Sequence, residues 1–148
     1  MNKRITFLLV STILTTGMLV GCGSKGMKNG TYTAEDKNFD DHGWKASVTI
    51  TVSGGKVSDT KFDYVAEDGT TKRGNVAYGE KMSQTAGITP DEYLPQYEQA
   101  LVTTQDPSKV EVVTGATTSQ KDFKALAKAA MDAAKIGNTN TTQIELSK

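Results

Sequence analysis

The stretch from Trp44 to Asp68 limits what this chain can fold into more than any other. In WKASVTITV, Trp44, Ala46, Val48, Ile50 and Val52 fall on one side, while Lys45, Ser47, Thr49 and Thr51 fall on the other. A period of two with this polarity predicts a strand that sets one face on a core and turns the other to water. SGGK (Ser53–Lys56) follows, and paired glycines accept the positive φ of a tight hairpin. VSDTKFDYVAED (Val57–Asp68) then returns as the partner strand.

Around this hairpin the pattern is mixed. GTYTAEDK (Gly30–Lys37) alternates weakly and predicts a first strand, and DGTTKRG (Asp68–Gly74) reads as a loop. NVAYGEKMSQTAG (Asn75–Gly87) places Val76, Tyr78 and Met82 loosely at helical spacing, with Gly79 weakening the pattern. TPDEYLPQYEQALVTTQ (Thr89–Gln105) is a clearer helix. Thr89 suits the cap, Pro90 the first turn, and Asp91 and Glu92 the positive end of the helix dipole. Tyr93, Leu94, Tyr97 and Leu101 form its apolar stripe, and Pro95 is compatible with it only near the first turn. VEVV (Val110–Val113) predicts a short strand. A last helix is expected from a capping signal at Ser119 and Asp122, with Phe123, Leu126, Ala127, Ala130, Met131 and Ala134 inward and Gly137 at its end. The expected architecture is α+β: a small antiparallel, hairpin-based sheet with packed helices.

The ends carry different information. Lys3 and Arg4 precede an uncharged, mostly apolar run from Ile5 to Val20. That run falls short of the roughly 20 apolar residues of a spanning helix and fits an export signal. It closes on Leu19-Val20-Gly21-Cys22, and Cys22 is the one cysteine of the chain. This tetrapeptide resembles a bacterial lipobox. The resemblance implies a signal peptide at residues 1–21, a diacylglyceryl group on Cys22, and a lipid anchor at the extracellular face of the cell membrane. Residues 22–29 then form a short Gly-rich tether, residues 30–137 the domain, and residues 138–148 a polar, frayed tail. Basic and acidic residues both number 17, so loss of Lys3 and Arg4 leaves a slightly acidic chain with no basic field for nucleic acid.

The segment VEVVTGATTSQKDF (Val110–Phe123) bears the chemistry. It runs from a β-branched stretch through a glycine into hydroxyl residues at the start of a helix. A helix N-terminus presents unpaired N–H groups that favour an anion, above all a phosphate. Gly115 and Ala116 let a ligand approach the backbone, and Thr117 sets a hydroxyl at the mouth. Read from the residues alone, the pattern also describes an ordinary capped helix. Glu111-Val112-Val113-Thr114-Gly115-Ala116-Thr117 resembles the flavinylation motif of FMN-binding domains, with Glu111 where that motif usually has Asp. The likeness extends from about residue 29 to 137 and is greatest with single-domain FMN-binding lipoproteins. It implies FMN joined covalently to Thr117 as a phosphodiester by a flavin transferase that uses FAD. It also implies an electron-transfer module fed by a quinol-linked or dehydrogenase donor in the membrane. Thr114, Gly115, Ala116 and Thr118 would complete the phosphate end.

DDHGW (Asp40–Trp44) holds the only His and the only Trp. It reads first as a loop entering a strand, with His42 and Trp44 as candidates for the wall of a flavin pocket. Among Tyr64, Tyr78, Tyr93 and Tyr97, Tyr78 is the preferred stacking ring, with Met82 beside it. TKRG (Thr71–Gly74) is a candidate phosphate contact, with surface charge as the default reading. With one His and its cysteine assigned to lipid, the chain shows no Ser-His-Asp or thiol nucleophile pattern. Two other roles compete with electron transfer. One is a surface lipoprotein of the same fold that binds no flavin, in a binding or antigen role. The other is a pheromone cut from the signal segment Leu8–Gly21.

Overall fold

The computed structural model describes residues 26–147. Cys22 and the stretch expected to be a signal peptide lie outside them. A four-stranded sheet in the order β3-β2-β1-β4 is covered on one face by helices. The strands are β1 (Gly30–Asp36), β2 (Trp44–Ser53), β3 (Lys56–Ala66) and β4 (Thr142–Ile144); the helices are α1 (Val76–Ala86), α2 (Pro90–Thr104) and α3 (Thr117–Ile136). This is the α+β class expected from the sequence.

The hairpin is where the alternation places it. β2 and β3 pair antiparallel from Trp44↔Ala66 to Ser53↔Lys56, with one irregularity at Thr51/Val52, and Gly54 and Gly55 turn with φ of 60° and 77°. Tyr32, Ala34, Val48, Ile50, Phe62 and Tyr64 point into the core. There they meet Tyr93, Leu94, Tyr97 and Leu101 of α2 and Phe123, Leu126, Ala127 and Ala130 of α3. The other face keeps polar cross-strand pairs such as Thr33–Thr49 at 2.9 Å and Lys45–Glu35 at 3.0 Å.

Five expectations need correction. Val110–Val113 is not a strand. It is an irregular segment after a 3-10 turn at Pro107–Lys109, with no ladder partner among the described residues. Its β-branched residues serve another end: Val110 is fully buried, and its carbonyl accepts from Gln120 Nε2 at 2.8 Å. The tail beyond Gly137 is not all frayed. β4 pairs parallel with β1 from Ala34↔Thr142 to Asp36↔Ile144, which makes the sheet mixed and extends the packed unit. The loop after Asp68 folds back along β3, with Lys72 N–H on Tyr64 C=O at 3.0 Å and a bridge between Val65 and Thr71. α3 starts two residues before Ser119, which is buried in the first turn instead of capping it. Pro95 is the sixth residue of α2, beyond the first turn, yet the helix continues to Thr104. Proline removes one i→i−4 bond there, but Pro95 and Asp91 are both exposed, so water reaches the freed carbonyl.

Candidate functional site

The site is built where α3 starts. Ala116 is the cap residue and has no side-chain hydrogen bond to offer, and the first turn holds no acidic residue. The helical ladder opens with Gln120 N–H on Ala116 C=O at 3.0 Å. The N–H groups of Thr117, Thr118 and Ser119 therefore project from the end of a 20-residue helix. Thr117 and Thr118 are exposed in this first turn, and Thr114 is exposed in the turn before it.

Two residues fix this turn from below. Tyr97 Oη donates to Ala116 C=O at 2.8 Å and accepts from Val113 N–H at 3.1 Å. Gly115 has φ of 86°, and a Cβ there would lie 2.4 Å from Ala86 C=O and 3.0 Å from Ile88 Cγ2. The glycine is thus demanded by the backbone at the end of α1, whether or not a ligand approaches. Ala116 is buried.

Beside the turn stands an aromatic wall. Asp40 organises its entrance by accepting N–H bonds from His42 at 2.8 Å and Trp44 at 2.9 Å. At the start of α1, Asn75 Oδ1 accepts from Tyr78 N–H at 3.0 Å, and the helix then presents Tyr78 and Met82 on one side. Trp44 and Tyr78 meet edge to face at 5.4 Å and 74°. With His42 and Met82 they border a cavity of about 380 Å³. A smaller one of about 190 Å³ shares His42 and Trp44 and adds Thr118, Tyr64 and Asp122. The structure therefore brings Tyr78, His42, Trp44 and Met82 together and reaches α3 through Thr118. Glu111 lies apart, in a groove against α2 with Pro95 and Tyr97.

Three residues of this region were not singled out from the sequence as a group. Lys72 is 7% exposed, and its ammonium stands 3.8 Å from the Tyr64 ring, 4.9 Å from Tyr78 and 5.4 Å from Trp44. Burial lowers its pKa to about 8 against the opposing pull of Asp40, Asp122 and Asp63. Tyr64 Oη donates to Asp122 Oδ2 at 2.8 Å, and burial raises both groups above their ordinary values. Arg73 is also engaged, with Glu98 and Asp63 as partners and Phe62 C=O at 3.2 Å. The reading of TKRG as free surface charge fails for both cations. Asp68-Gly69 was the overlooked signal: Gly69 has φ of 83°, which turns the chain back and carries Lys72 under the wall.

An FMN phosphodiester fits these residues. An uncapped helix end favours the residual negative charge, and Thr117 is exposed one residue before Thr118, which borders the smaller cavity with Trp44 and Tyr64. Asp36, Asp40, Asp41 and Asp122 border that cavity too, so the phosphodiester charge belongs at the helix end and not inside it.

No family model matches the chain. Over 137 residues it is 34% identical to the 15 kDa lipoprotein of Treponema pallidum (strain Nichols), an alignment covering 93% of this chain and 94% of that protein. Its fold is similar to a crystal structure of a Clostridium perfringens protein, with a TM-score of 0.79 and 41% identity over 82% of this chain and 99% of the other. A solution NMR structure from Clostridium thermocellum aligns with a TM-score of 0.51 and 30% identity over 73% and 92% of the two chains.

Proposed function

This chain belongs to the lipoprotein family of the Treponema pallidum 15 kDa lipoprotein, and from that premise we propose a membrane-tethered flavoprotein that carries electrons. Cys22 bears the lipid at the extracellular face of the cell membrane, where two acyl chains at about 0.8 kcal/mol per buried CH₂ give durable attachment. Thr117 carries FMN as a phosphodiester installed by a flavin transferase. The observation that carries this reading is the exposed Thr117 hydroxyl on the first turn of the uncapped α3, inside the motif Glu111–Thr117.

FMN, when bound, supplies the redox chemistry; the chain supplies position and electrostatics. The first-turn N–H groups of α3 hold the phosphodiester charge, and the exposed Thr114, Thr117 and Thr118 are what the transferase meets. Tyr78, Trp44 and His42 bound the ring. Electrons enter from a quinol-linked or dehydrogenase donor in the membrane and leave to an acceptor outside.

Co-expression of the full chain with a flavin transferase should add the mass of one FMN, and Thr117→Ala should abolish it. The same mass on the Thr117→Ala variant removes Thr117 as the attachment point. A colourless native protein from cells with an active transferase defeats the flavin reading and leaves the surface lipoprotein. Cys22→Ala should release the protein from the cell surface; unchanged retention there defeats the anchor.

A further inference from the structure

The first described residue, Gly26, lies against the β2–β3 turn at Gly55, and two residues on the chain reaches the last turn of α3. Lys28 N–H donates to Ala134 C=O at 2.9 Å, and Lys28 Nζ donates to Ile136 C=O at 3.1 Å. Cys22 precedes Gly26 by four residues, so the link between them can span no more than ~14 Å. The β2–β3 turn and the end of α3 that carries Lys135 and Ile136 are therefore both held close to whatever holds Cys22. Ile136 is 70% exposed there.

One face of α3 is open along its length. Lys121, Lys124, Lys128 and Lys135 follow one another at helical spacing around a cavity of about 850 Å³, floored by Pro107 and Met131. Asp132 and Asp106 also border it; Asp132 pairs with Lys128 and Lys135, and Asp106 with Ser108 and Lys109. The four lysines therefore exceed the two acids by two charges, with Lys121 and Lys124 outside any ion pair among the described residues. The face is basic on a chain that becomes slightly acidic once its leader is removed. Lysine stems over an apolar floor suit the boundary between headgroups and acyl chains, where the Lys121 and Lys124 ammoniums reach phosphates.

We propose that this lysine face of α3 lies on anionic phospholipid next to the anchor, with Ile136 at the interface. The proposal rests on the reading of Cys22 as the lipidated residue. It also sets the position of the candidate site. α3 is about 30 Å long. Lying flat, it keeps Thr117 near the height of the anchor; standing on its last turn, it would raise Thr117 by that length.

The test uses the lipidated full chain, in which Cys22 is blocked and an added thiol can be labelled alone. A fluorophore is placed at Ala125→Cys, on the lysine face, or at Ser83→Cys, on α1. The protein is reconstituted in vesicles of phosphatidylglycerol and phosphatidylcholine in equal parts, with a nitroxide on the headgroups. Quenching should be severalfold stronger at position 125 than at 83. The difference should vanish in phosphatidylcholine alone, at high salt, and in the Lys121→Glu, Lys124→Glu, Lys128→Glu variant. Equal quenching at both positions on floating vesicles overturns the docking while leaving the anchor intact. So does a difference that survives charge reversal, or a shielded position 125 in a dimer. Protein that does not float overturns the anchor and the docking with it.

Discussion

Tyr97 donates a 2.8 Å hydrogen bond to Ala116 C=O across 19 residues of sequence, from the middle of α2 to the cap of α3. The same oxygen accepts from Val113 N–H. Tyr97→Phe keeps the buried ring and removes both bonds. Ala116 C=O still has Gln120 N–H, but Val113 N–H is left without its acceptor. A loss of about 1–2 kcal/mol in unfolding free energy is expected, with faster amide exchange at Val113. Denaturant titration and hydrogen exchange on the full chain check this. Unchanged exchange at Val113 would show that the turn does not depend on Tyr97.

Gly115→Ala tests whether the glycine belongs to the fold or only to a ligand. The new Cβ would meet Ala86 C=O at 2.4 Å, and φ of 86° is unfavourable for alanine in any case. The junction between α1 and α3 must shift, so destabilisation of at least about 2 kcal/mol is expected in protein without flavin. A thermal midpoint equal to the wild type in flavin-free protein would mean that the contact yields freely.

How much of this was legible follows from which forces are local. The β2–β3 hairpin was readable because alternation and paired glycines act within a few residues, and the start of α2 because Thr89 and Pro90 are neighbours. Val110–Val113 was misread because β-branched residues report burial as well as pairing, and no strand lies beside them. β4 was missed because TQI is too short for its period to show, and its partner β1 is more than a hundred residues away. At the candidate site, Tyr78 and His42 could be named individually, and the fold sets both along one cavity. The Lys72–Tyr64–Asp122 group needed the fold, since it joins a loop, a strand and a helix.

Ending the chain at Asn140 removes β4. Lys37 N–H loses Ile144 C=O at 2.8 Å, Glu35 loses Gln143, and the half-buried Ile144 and Leu146 leave the edge of the core. Two partly buried apolar side chains and an uncovered strand edge amount to a loss of about 2–4 kcal/mol. Equilibrium unfolding of the truncated and full chains measures it. Equal stability would place the tail outside the cooperative unit, as the sequence alone suggested.

Lys72 sets a dependence on pH. Its ammonium loses its proton near 10.5 in the unfolded chain and at about 8 in the folded one. Between those values the unfolded state holds the extra proton, so unfolding takes up a proton and stability rises with pH. At about 1.4 kcal/mol per unit, the gain from pH 8 to 9.5 is on the order of 1–2 kcal/mol. Above pH 10 the buried tyrosines act the other way. Burial raises Tyr64 and Tyr93, so the unfolded chain gives up their protons first and stability falls. The window from 8 to 9.5 therefore isolates the lysine. Lys72→Met keeps an unbranched stem among Trp44, Tyr64 and Tyr78 and removes the titrating group. Its stability should be flat across that window while the wild type climbs. Parallel curves for the two proteins would mean that the cation–π contacts with the three rings offset the burial and hold the folded ammonium at its ordinary value.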